Sequence, residues 1–159
     1  MFRKDEEMGT KYRLNVAGIL RNSKGKVLVG ERLGKDGAWQ FPQGGVDDGE
    51  TALEALYREL EEEVGITRDL YTVVEQRSGY RYQFVGGRLK FGGYGGQEQT
   101  YFLCDYHGQK SQISIDTDHP EFQNVDWIKP HRFDLNAVPE FKRSVYERVF
   151  EDFFGELPD

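Results

Sequence analysis

The sequence predicts one domain of mixed α and β structure, α/β in the broad sense and α+β in the strict one, and three observations lead there. Its 159 residues suit a single core. Short runs rich in β-branched and aromatic residues alternate with glycine-containing turns through most of the chain. Two other stretches repeat their apolar residues at helical spacing. With 37% apolar and 14% aromatic residues there is enough material for a packed core, which rules out a chain dominated by disorder.

Taken in order, residues 1–11 are highly charged and expected to be loose, leaving 12–159 as the domain. Arg13 to Leu20 and Lys26 to Gly30 read as strands, joined as a hairpin by the turn-forming Asn22-Ser23-Lys24-Gly25. Trp39-Gln40-Phe41 is a short extended piece ended by Pro42. Gly44-Gly45 and Asp47-Asp48-Gly49 then form a loop before a helical pattern begins. Tyr71 to Val74, Tyr80 to Phe84 and Gln99 to Tyr106 are strand candidates, with a glycine-rich loop from Gly86 to Gly96 between the last two. Phe122 to Ile128 gives one more strand. From Val138 onward Phe141, Val145, Val149 and Phe153 mark a closing amphipathic helix. Neither an internal repeat nor a domain linker is visible.

The formal charge of −7 argues against a nucleic-acid coat protein, which gains affinity by neutralising phosphates with clustered Lys and Arg. A DNA partner is therefore not expected, and any RNA contact must be local. The sole cysteine, Cys104, has no internal disulfide partner and lies in the apolar run Tyr101-Phe102-Leu103-Cys104, as suits a buried thiol in a reducing compartment. No run of about 18 apolar residues suggests a membrane span. The charged start, Met1-Phe2-Arg3-Lys4-Asp5-Glu6-Glu7, lacks the apolar stretch of a signal peptide, so a cytoplasmic protein is expected.

The chemistry concentrates on the first helix. At about 100° per residue, Leu53, Leu56, Leu60 and Val64 fall within about 80° of one another and form a stripe for the core. Glu59, Glu62 and Glu63 cluster within about 100°, and Glu63 lies only about 20° from Leu56 at the edge of that stripe. Like charges at these spacings repel, and partial burial raises the cost, so a compensating cation is called for. A solvated acidic face is the plain alternative for such a run. The candidate ligands are all carboxylate oxygens without a nearby His or Cys, which favours Mg²⁺ or Mn²⁺ over zinc. Arg58 can pair with Glu62 one turn later or hold a catalytic carboxylate in place. Glu50, at the helix start, suits the positive end of the macrodipole. Gly44, Gly45 and Gly49 let the backbone turn tightly and approach phosphate oxygens.

Gly44, five residues, Glu50, seven residues, Arg58-Glu59-Leu60, one residue, Glu62-Glu63, one residue and Gly65-Ile66 together match the Nudix box at every fixed position. The chain therefore resembles the Nudix hydrolases. The resemblance implies a mixed sheet sandwiched between helices, with the box as a loop, helix and loop that holds catalytic divalent metal. It assigns metal binding to Glu59, Glu62 and Glu63, with Gly44 beside them, and an orienting role to Arg58.

Further segments resemble one branch, the bacterial RNA pyrophosphohydrolases and the similar diadenosine tetraphosphate hydrolases. These are Tyr12-Arg13-Leu14-Asn15-Val16, Trp39-Gln40-Phe41-Pro42-Gln43-Gly44-Gly45, Gly96-Gln97-Glu98-Gln99, Pro120-Glu121-Phe122 and Phe141-Lys142-Arg143. The branch implies that Glu121 is a further metal ligand or the base that activates water, a role open also to Glu59 or Glu63. It points to Arg13 and Lys142 as phosphate contacts, to Trp39 or Phe141 as base contacts, and to Gln40 and Gln97 as substrate-binding positions. The same aromatics could equally belong to the core and the same cations to the surface. The chain departs from many relatives at Glu98 and Thr100, where basic residues are common, and at Tyr101, where tryptophan is common. The implied substrate is a 5′-triphosphorylated RNA or, alternatively, a nucleoside polyphosphate such as diadenosine tetraphosphate.

Overall fold

A computed structural model describes residues 9–159. The segment expected to be loose falls mostly on residues 1–8, outside the described residues. The first strand, β1 (Tyr12–Arg21), pairs in parallel along its whole length with β6 (Gly96–Tyr106), which pairs antiparallel with β5 (Tyr71–Gln83). On the other edge of β1, Asn15 to Ala17 face the short β4 (Gln43–Gly45). The end of β1 turns into β2 (Val27–Arg32), which carries β3 (Trp39–Gln40) and β7 (Phe122–Ile128). The turn is built as expected: Asn22 Oδ1 accepts from the amides of Lys24 and Lys26, both at 3.0 Å, and Gly25 takes the left-handed conformation.

Alternation along β1 explains the layering. Val16 and Leu20 join one core cluster with Leu56, Leu60 and Val64 of α1 (Ala52–Val64), while Ala17 and Ile19 join another with Val145, Val149 and Phe150 of α2 (Glu140–Phe154). The sheet thus lies between the two helices, as the resemblance implied. Gly18 lets α1 pack tightly on β1, because a Cβ there would lie 3.2 Å from Leu56 and Leu60. Leu53, counted in the apolar stripe, is in the first turn and 38% exposed, so the stripe that packs begins at Leu56.

The ends of α1 follow from local chemistry. Thr51 and Glu54 form a reciprocal capping box, and Gly65 ends the helix in the left-handed conformation, its amide donating to Glu61. Two strand expectations need correction. Tyr71 to Val74 and Tyr80 to Gln83 belong to one strand that ends just before Phe84, carried through the polar Glu75–Gly79 stretch by two register shifts that break the alternation. Gly44-Gly45, read as part of a loop, form strand β4 together with Gln43. Its glycines hide the period of two, yet it is what brings the loop backbone against β1.

Candidate active site

Arg58, on the second turn of α1, is the hub. Its Nε and Nη2 donate to the two carboxylate oxygens of Glu50 at 2.8 and 2.9 Å, a bidentate pair. Nη2 also donates to the Gly45 carbonyl at 2.8 Å. Nη1 donates to Glu59 at 2.7 Å and to Glu62 at 3.2 Å. One guanidinium therefore ties the start of the helix, strand β4 and two box carboxylates together. The hydrogen bonds from Arg58 hold the Glu50 carboxyl down to about 2 against a partial burial that works the other way. Capping of the helix falls to Thr51, so the work of Glu50 is to anchor Arg58.

The box carboxylates differ sharply in solvation. Glu62 keeps 57% of its side chain exposed. Glu59 is half-buried against Gly44, where a Cβ would come 2.0 Å from the carboxyl carbon, so a glycine is the residue that fits beneath it. Burial raises the Glu59 carboxyl despite the Arg58 hydrogen bond. Glu63 is 4% exposed and accepts one hydrogen bond, from the Gln43 amide at 2.9 Å. Burial first, then the charges of Glu59 and Glu121, push the Glu63 carboxyl well above the usual carboxylate range.

Glu59 and Glu63 line a pocket of about 300 Å³ with Arg13, Asn15, Gln43, Gly44, Gly45, Phe91, Gln97 and Glu121. The donor set suits a hard divalent cation, and two observations agree: the Glu63 carboxylate meets a single donor, and the buried Gln43 Oε1 has no hydrogen-bond partner. As positioned, no three acidic, histidine or cysteine side chains among the described residues are gathered closely enough to hold an ion unaided. Glu59 and Glu62 are turned onto Arg58 instead, so an ion would draw them from Nη1.

The wall opposite the acids is built on β1 and β6. Arg13 Nη1 and Asn15 Nδ2 both donate to Gln97 Oε1, at 3.3 and 3.2 Å, and Gln99 Nε2 donates to Asn15 Oδ1 at 2.9 Å. Gln97 in turn donates to the Tyr82 hydroxyl. The Arg13 guanidinium fills the space above Gly45, where a Cβ would come 2.0 Å from Nη2. Of the positions named from sequence, Arg13, Gly44, Glu59, Glu63, Gln97 and Glu121 come together here, with Arg58 and Glu62 bonded to them.

Trp39, Gln40, Phe141 and Lys142 do not line this pocket. Trp39 lines a separate cavity with Val29, Ile128 and Phe133, and Gln40 is buried in β3. Phe141 packs on Tyr82, with ring centroids 5.6 Å apart. Gly45, expected to approach phosphate, also lines the pocket, and Asn15, Gln43 and Phe91 line it without having been given a role. Asn15 had a signal, since a polar residue beside Val16 in an otherwise apolar strand needs a buried partner.

Lys142 is half-buried, its ammonium 5.4 Å from the Tyr82 ring centre. Burial, reinforced by the charges of Arg32, Lys90 and Lys35, lowers it to about 8. Such a lysine binds fewer protons folded than unfolded, so its penalty is complete below about pH 8 and fades as pH rises toward the unfolded value near 10.4. Lys142→Met is therefore expected to raise the melting temperature by roughly 2–4 °C at pH 7, with the gain shrinking by pH 10. A gain that grows with pH would show that charge burial is not the cause.

A family model described as the NUDIX domain matches residues 11–149. An RNA pyrophosphohydrolase of Psychrobacter cryohalolentis is 41% identical over 152 residues, covering 92% of this chain and 87% of the relative. One of Novosphingobium aromaticivorans is 41% identical over 156 residues, covering 94% and 96%. The crystal structure of a C. elegans Ap4A hydrolase binary complex superposes with a TM-score of 0.62 over 90% of this chain and 98% of that one, at 20% identity, a likeness of fold. Members of this family generally use divalent metal cations. With the box acids gathered on α1 around Arg58 and most of its length inside the family match, the chain belongs to the NUDIX domain family.

Proposed function

We propose that this chain is a metal-dependent pyrophosphohydrolase that converts 5′-triphosphorylated RNA to 5′-monophosphorylated RNA. The observation that carries the reading is an acidic floor, Glu59 and Glu63, facing a cationic wall, Arg13, across one small pocket. An acidic floor alone repels a polyphosphate, and with a cation added it attracts one. RNA is favoured by the similarity to relatives named RNA pyrophosphohydrolase. It is favoured also by Arg32, Lys35 and Lys90, whose charges each reach Lys142 and add to the burial that lowers its ammonium. In a chain of charge −7, such a cluster is a local path for the phosphates that follow the first nucleotide.

Mg²⁺ or Mn²⁺ held by Glu59, Glu62, Glu63 and Glu121, beside Gly44, would supply charge neutralisation and Lewis acidity. Arg13 orients the polyphosphate oxygens, and Arg58 fixes the acids that must receive the ion. Glu121, the exposed carboxylate of the pocket, accepts the proton of the attacking water. Water adds to phosphorus, the anhydride bond breaks, RNA keeps one phosphate, and pyrophosphate or successive phosphates leave. No covalent protein intermediate is needed.

The second reading is the same chemistry on a dinucleoside polyphosphate. The net acidity and the Asp47, Asp48 and Glu50 carboxylates beside the pocket favour it, since a small substrate needs no phosphate contacts there. Purified protein with Mg²⁺ or Mn²⁺ would be offered 5′-triphosphorylated RNA and diadenosine tetraphosphate in parallel, with Glu62→Gln as control. A higher kcat/KM on RNA, lost in the control, is expected. Preference for the dinucleotide moves the protein to the second reading. Turnover of neither would leave a nucleotide-binding domain without chemistry.

A further inference from the structure

Among the described residues, Phe91 alone carries a side chain at positive φ, 53°, a conformation disfavoured for a bulky residue. It sits at the tip of a tight turn closed by reciprocal backbone hydrogen bonds between Lys90 and Tyr94, both 2.8 Å. Gly92 and Gly93, both at positive φ, carry the chain away from it. The turn therefore aims the ring, and it aims it at the substrate side: the Arg13 guanidinium lies 4.0 Å from the ring centre. Yet Phe91 is still 55% exposed, with only a tilted contact to Phe84 behind it. The contacts with Arg13 and Phe84 leave more than half of this strained ring open to solvent beside the pocket.

Phe91 also stands between two spaces. It lines the acidic pocket and an adjoining groove of about 690 Å³ formed with Tyr12, Leu14, Tyr94, Asp47 and Asp48. That groove offers apolar and aromatic surface with carboxylate acceptors at one side. The combination suits a base and ribose hydroxyls, and opposes a further phosphate.

Resting on the reading that the pocket takes a nucleotide polyphosphate, we propose that Phe91 is a specificity-determining residue that stacks on the nucleobase of the nucleotide bearing that polyphosphate. Base, ring and Arg13 guanidinium would form one column, with the phosphates directed toward Glu59 and Glu63. Stacking of this kind tolerates any base, because every base presents a π face.

The test compares wild type, Phe91→Ala, Phe91→Trp and Phe91→Asn on ATP, 5′-triphosphorylated RNA and inorganic tripolyphosphate, which has the anhydride but no base. Asparagine tolerates the left-handed conformation and so keeps the turn without the ring. Alanine and asparagine are expected to raise KM about tenfold on both nucleotide substrates, with kcat and the tripolyphosphate constants nearly unchanged, and tryptophan to restore KM. An equal loss on all three substrates, or no loss on any, overturns the proposal. Calorimetric binding of ATP against tripolyphosphate reads the same ratio without turnover. A wild type that binds but hydrolyses nothing would therefore sink the hydrolase reading while the ratio still decides the role of Phe91; binding of neither ligand overturns both.

Discussion

The Glu63→Gln variant is expected to lose at least about 100-fold in kcat, the scale of removing one group that stabilises transition-state charge, while melting no lower than wild type in metal-free buffer. The two halves follow from one fact. Glu63 is buried with a single donor, so its charge is unfavourable until a cation arrives. Its folded carboxyl is raised, so the folded state favours the proton and the ionised group weakens the metal-free fold at neutral pH. Glutamine keeps the oxygen that accepts from the Gln43 amide and removes the charge. Stability is thus preserved or improved, and affinity for the ion is lost. Melting curves in chelator and turnover in Mg²⁺ test the pair. Activity within tenfold of wild type, or a melting point several degrees lower, would contradict this account of Glu63.

Arg58→Ala is expected to have the largest effect on stability. It removes the partner of Glu50 and Glu59 and leaves the Gly45 carbonyl without its donor. Breaking a buried pair by deleting one member costs about 3–5 kcal/mol. Arg58 keeps 26% of its side chain exposed, so the lower figure of that range applies. That corresponds to a fall of roughly 6–12 °C in a domain of this size. Arg58→Lys restores the charge but not the planar fork, and should recover less than half of the loss. Turnover falls in both variants, because Glu59 and Glu62 lose the group that sets their positions. A melting point within about 2 °C of wild type for Arg58→Ala would show the hub to be ornamental.

The helices and most strands were legible because their signals are local. The spacing of Leu56, Leu60 and Val64 marks the buried face of α1, and that of Val145 and Val149 the buried face of α2. β4 was not legible, because Gln43-Gly44-Gly45 has no side-chain alternation to read and is a strand only through β1. The long β5 was read as two pieces because its bulges interrupt the period. At the site, the acids and Arg58 were legible from fixed spacing along one helix. On the opposite wall Arg13 and Gln97 were named only through the resemblance and Asn15 was not: the three meet because β1 and β6 pair, and nothing local in either segment announces that register. Glu98 and Thr100, departures from the common pattern of the branch, are occupied with neighbours on β5: Glu98 pairs with Arg81 and Thr100 bonds Ser78. Tyr101 is buried in the α2 core.

The parallel pairing of β1 with β6 sets a timetable for biosynthesis. Arg13 and Gln97 are 84 residues apart in sequence, so closing the pocket requires a loop that spans most of the domain. Contacts of that separation form late and slow the folding of the whole unit. A ribosome at about 5–20 residues per second completes the acidic helix seconds before it delivers the strand that makes the facing wall. During that interval the emerging polypeptide exposes Glu59, Glu62 and Glu63 without a cationic counterpart from β1 held in register. The complete pocket thus arrives with the second half of the chain, and a truncated product ending before Gly96 carries the full box without the facing wall of β6.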